Sequence, residues 1–119
     1  MDYVNEGETL EYTNNTGSAI SAGDPVVVGD CVGRAQVDIA NGEEGVVLIV
    51  GRMKSAAKVS GTAWSQGDEL DWDSSEEAFT KDLTPAASGD VQNCAIAAED
   101  ATSAATTAEI ILSNPGTAS

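Results

Sequence analysis

Short apolar runs, each closed by a turn signal, set the pattern of this chain. The longest is Val46-Val47-Leu48-Ile49-Val50, bracketed by Gly45 and Gly51. Five apolar residues in a row fit a strand buried on both faces, or a piece of helix too short to stand alone. The glycine brackets and the β-branched side chains select the strand. Beyond it Arg52-Met53-Lys54 alternates, as a strand does where one face emerges into solvent.

Gly-Asp pairs at 23–24, 29–30, 67–68 and 89–90, together with Asn41-Gly42, interrupt the chain. Glycine reaches positive φ without steric cost and aspartate bonds its neighbouring backbone, so such pairs mark corners. Between them the pattern predicts strands over Pro25–Val28, Cys31–Val37, Glu44–Lys54, Leu70–Asp73, Ala78–Lys81, Val91–Ala98 and Ala108–Leu112. Short strands with corners this frequent indicate a mainly β fold, a small barrel or sandwich of antiparallel strands with at most one or two short helical segments. Glu99 to Thr107 is rich in alanine, a strong helix former, yet threonines and a serine interrupt it and no apolar face of helical period can be drawn. It reads as a loop between two strands.

The pattern divides the chain into a segment 1–17, a β domain 18–112 and a flexible tail 113–119 that holds Pro115 and Gly116. Glu8-Thr9-Leu10-Glu11-Tyr12-Thr13 alternates with Leu10 and Tyr12 on one face. It is either the first strand of the barrel or an extended arm able to add to a neighbour's sheet. The arm reading makes Tyr3, Val4, Glu8, Leu10, Glu11 and Tyr12 the contact residues. Trp64 and Trp72 stand out in a chain with five aromatics. They fill the core or, as large apolar anchors, an interface.

Composition narrows the function. A chain of 119 residues fits one domain. Its apolar content is mostly alanine and valine, which bury little area each, so a fold of modest stability that gains from self-association is expected. Twenty acidic residues against five basic ones give a net charge of −15. That charge repels phosphate backbones and anionic membranes, so neither nucleic acid nor membrane is an expected partner. It serves solubility or meets a positively charged surface. Residues 1–6 are acidic with no apolar core, and no secretory signal is expected.

Catalytic chemistry has little to work with. Histidine is absent, and with it the commonest general base and metal ligand. No nucleophile elbow, phosphate loop or dinucleotide fingerprint occurs, so no catalytic residue and no cofactor are expected. Asp71, Asp73 and Ser75 have the spacing of a calcium loop, but Glu76 stands where that loop needs glycine. A solvated turn is the reading for Asp68 to Glu77, and a small calcium- or sugar-binding β module is the alternative. Cys31 and Cys94 are too far apart for a metal knuckle. They allow one disulfide, or two buried free thiols in a reducing cytosol.

The order of segments resembles the DUF2190 family, capsid cement proteins of tailed bacteriophages. The resemblance runs through Asn14 to Val28, Val32-Gly33-Arg34-Ala35, Ile39 to Val47, Gln66 to Asp73 and the Ala97–Leu112 stretch. Gly51-Arg52-Met53 departs from it, with a more polar end to the central strand. The resemblance implies a compact β-barrel or β-tulip. It also implies a decoration protein on the exterior of the virion capsid, made in the host cytoplasm. Its partner would be the major capsid protein, bound as homotrimers at three-fold and quasi-three-fold positions.

Overall fold

A computed structural model describes residues 8–83 and 86–119. Among them it holds nine strands and no helix: β1 (Glu8–Thr13), β2 (Pro25–Val28), β3 (Cys31–Ala35), β4 (Glu44–Ala57), β5 (Glu69–Asp73), β6 (Ala78–Thr80), β7 (Val91–Ala97), β8 (Thr107–Ser113) and β9 (Thr117–Ala118). All strand pairs are antiparallel, in the order β2-β3-β4-β8-β7-β5-β6, with β1 on β4 and β9 on β7. The sheet curls until β6 returns to the end of β4 through a parallel bridge between Lys58 and Phe79, which makes a half-barrel. The mainly β fold expected from the turn pattern is the fold found.

The long strand β4 organises the molecule. Val47 is partnered by Leu10 and Ala35, and Val50 by Glu8 and Ser113. A residue in a ladder has one partner on each edge, so β1 lines one edge of β4 while β3 and then β8 share the other. Where β3 and β8 part, the Asn114 side chain fills the fork. Its Oδ1 accepts from the Val32 N–H at 3.0 Å, and its Nδ2 donates to the carbonyls of Val32 at 2.6 Å and Ile49 at 2.7 Å. The amide thus continues a ladder that the backbone leaves.

A bulge lets β4 serve two cores. Thr9 pairs with Leu48 and Glu8 with Val50, so the ladder steps over Ile49. A slip of one residue exchanges faces. Before it, Val47 packs in a small cluster with Val26, Ala35 and Ile39. After it, Met53 joins Leu48 against the main cluster of Trp64, Leu70, Trp72, Phe79, Ile110 and Leu112. The apolar run is therefore less buried than its composition suggests. Val47 is fully buried, whereas Val46 remains 37% exposed. Gly33 permits the tight approach of β3 to β4, since a Cβ there would collide with the Val47 side chain and the Leu48 carbonyl.

The segment 113–119, read from the sequence as a tail, makes backbone bonds to the β domain. Thr117–Ala118 pairs with Val91–Gln92 as β9. The Gly116 and Ala118 N–H groups donate to the carbonyl and side chain of Asp30, at 2.8 and 3.1 Å. Ser119 exchanges backbone bonds with Asp90 and Gly89. The sequence hid this strap because its partners lie at distant turns.

Both cysteines are free thiols. Cys94 is wholly buried, and burial, with the Asp71 carboxylate second, pushes its pKa up to about 12. Cys31 is half-buried and its pKa is raised by burial and then by Asp30. Since the thiolate is the reactive form, Cys31 should alkylate slowly in the native protein and Cys94 only upon unfolding. Mass spectrometry after timed alkylation checks this; equal labelling of both at the denatured rate, or a disulfide in fresh protein, contradicts it.

Candidate functional site

The alternation of Glu8 to Thr13 places this segment as β1, the outermost strand beside β4. Leu10 faces Val47, and Tyr12 faces Gly45 and packs on the smaller cluster. Glu11 shares the outer face with Val46. Along β1 only Tyr12 is half-buried; Leu10 is 36% exposed, and Glu8 and Glu11 are exposed. Among the described residues no strand pairs with the other edge of β1. This six-residue edge, about 20 Å long, leaves the N–H and C=O of alternate residues open and makes a template for an added strand. No proline or lysine blunts it. Tyr3 and Val4, the other contact residues expected from the sequence, lie outside the described residues.

The tryptophans occupy the core. Trp64 and Trp72 are each 4% exposed, which leaves almost nothing for a partner to touch. Trp72 meets Phe79 edge to face, with ring centroids 5.1 Å apart. The ring of Trp64 lies under the Lys58 ammonium, 5.1 Å from its centroid. Lys58 is itself buried and donates to the carbonyls of Val59, Thr62 and Ala105. Burial pushes its pKa down, while the carbonyls and the indole face favour the charged form. It pins the seam where β6 meets β4.

In the acidic stretch 68–77 the three aspartates bond the backbone. Asp71, buried, accepts the N–H groups of Leu83 and Asn93, both at 2.8 Å. Asp73 accepts from Ser75 and Glu76 and so shapes the β5–β6 turn. Asp68 accepts the Ser65 N–H and pairs with Lys81. Among the described residues no three His, Cys, Asp or Glu side chains are placed to hold a metal ion.

Asp90 works the same way at the β7 corner. The Ser74 N–H, with further bonds from Ala87 and the Ser74 hydroxyl, holds its carboxyl below the usual range against the opposing effect of burial. A carboxyl lowered on folding stabilises fully above its unfolded pKa, about 4, and loses that contribution as pH falls through the folded value. Melting temperature should therefore drop as pH falls below about 4. Asp90→Asn should melt lower at neutral pH and show a shallower acid slope. Equal slopes in the two proteins would rule out Asp90 as a source.

A basic cleft was missed from the sequence. Arg34, Arg52 and Lys54, three of the five cations, line a cavity of about 490 Å³ beside Gly23. Arg52 pairs with Glu109. Among the described residues Arg34 bonds only the Gln36 amide oxygen, and Lys54 has no carboxylate partner. The only sequence signal was Arg52 and Lys54 two residues apart; Arg34 joins them from another strand.

The model of a family described as phage cement protein covers residues 4–112. No curated protein and no solved structure matches the chain.

Proposed function

The chain belongs to the phage cement protein family, and we propose that it binds the outside of a phage head and clamps neighbouring major-capsid subunits there. Family membership supports a structural, capsid-stabilising role. The observation that carries the mode of attachment is the open edge of β1. A strand of the shell adds to that edge, main-chain bonds hold it, and Leu10 and Tyr12 make the apolar contact. Glu8 and Glu11 face basic side chains of the shell and guide the encounter more than they hold it, since exposed ion pairs contribute only about 0–1 kcal/mol.

In this reading the protein groups as trimers at three-fold and quasi-three-fold positions. Three weak contacts held on one trimer gain affinity through effective concentration. The charge of −15 keeps the protein soluble and away from packaged DNA. Two free thiols, one of them buried, suit synthesis in the host cytoplasm. The test is co-sedimentation with undecorated heads of the cognate phage, followed by imaging of the particles. Saturation with density at the three-fold positions supports the proposal; binding at random sites, or none, contradicts it.

A further inference from the structure

We propose that the Arg34–Arg52–Lys54 cleft receives the acidic β5–β6 turn, Asp73 to Glu77, of a second copy of this chain. The inference rests on the trimer reading above and names the contact that would build it. Of the five cations, Lys58 is caged inside the fold and Lys81 is held by Asp68. The remaining three share one cleft, and two of them have no carboxylate partner among the described residues, in a chain with twenty acidic residues. A cleft left positive in so acidic a protein fits a carboxylate from outside. Copies of charge −15 crowded on one surface repel each other, and a cleft that grips a neighbour's acids offsets that repulsion.

The β5–β6 turn is suited to this role by charge and position. Glu76 and Glu77 are adjacent, exposed and without a cation partner among the described residues. Asp73, by contrast, is occupied in shaping the turn. Turn and cleft flank the same corner: Gly23 lines the cleft, while Asp24 and Pro25 line a neighbouring hollow with Glu77. A contact between two different patches is heterologous, and patches set at an angle close it into a ring. The Glu8 and Glu11 carboxylates of β1 stay free for the shell.

Charge reversal tests the contact. Arg34→Glu with Lys54→Glu leaves the Arg52–Glu109 pair intact, and Glu76→Lys with Glu77→Lys leaves the Asp73 turn bonds intact. Each double variant, confirmed folded by its melting curve, should self-associate at least about tenfold more weakly than wild type in sedimentation at low salt. Combining all four changes in one chain should restore association, and added salt should weaken the wild-type contact. A monomeric wild-type protein at high concentration and low salt overturns the proposal. So does an effect of the cleft pair without one from the turn pair, which assigns the cleft to another carboxylate. Sedimentation of the protein alone separates this outcome from the shell contact, which is read by binding to heads.

Discussion

Replacing Asn114 with alanine is expected to destabilise the protein by about 2–4 kcal/mol and to lower its melting temperature by roughly 10 °C. The side chain satisfies one N–H and two carbonyls on two strands, at the point where β3 and β8 diverge from β4. Removing it leaves those backbone groups short of partners in a half-buried fork, and each such loss costs about 1–3 kcal/mol. Asn114→Asp should be no better. It keeps an acceptor for the Val32 N–H but turns a carboxylate oxygen toward two carbonyls. Thermal melts of both variants check this. A loss within about 1 kcal/mol for either would mean that the fork is held by the backbone alone.

The largest expected effect on attachment comes from Leu10→Ala, which should weaken binding to undecorated heads by at least about tenfold. Leu10 is among the few large apolar side chains left exposed, and it sits on β1, whose outer edge no strand pairs with among the described residues. Because 36% of it is already exposed, its removal should shift the melting temperature little. Glu8→Ala and Glu11→Ala should each change affinity by no more than a few-fold, as screened surface charges do. Leu10 is a sharper probe than deletion of residues 1–12, which also removes Tyr12 from the smaller cluster and uncovers β4. Unchanged binding by a folded Leu10→Ala protein would move the attachment surface off β1.

The parts of the fold legible in the sequence are those fixed by neighbours in the chain. The Gly-Asp corners and β-branched runs placed β2 at its observed ends and β5 to β8 within a residue or two. The alternation of Leu10 and Tyr12 showed β1 as a strand, though not which strand it joins. What stayed hidden depends on distant partners. Asn114 reads as a turn residue before proline, yet it bonds Val32, 82 positions away. The β9 strap needs Asp30 and Asp90, which read as ordinary corner residues. Strand β4 runs on to Ala57 because a register shift between Met53 and Ala56 keeps it on β8 beyond the polar Arg52–Lys54 stretch. The basic cleft escaped for the same reason, since no local spacing joins Arg34 to Lys54.

The claim that the chain cements a shell is tested most directly by heating DNA-filled heads with and without it. Heads stripped of the protein should release DNA at a lower temperature than decorated ones. Adding purified protein should restore the higher temperature and saturate at a fixed ratio of protein to shell. Release at the same temperature with the protein bound at saturation would contradict a cementing role.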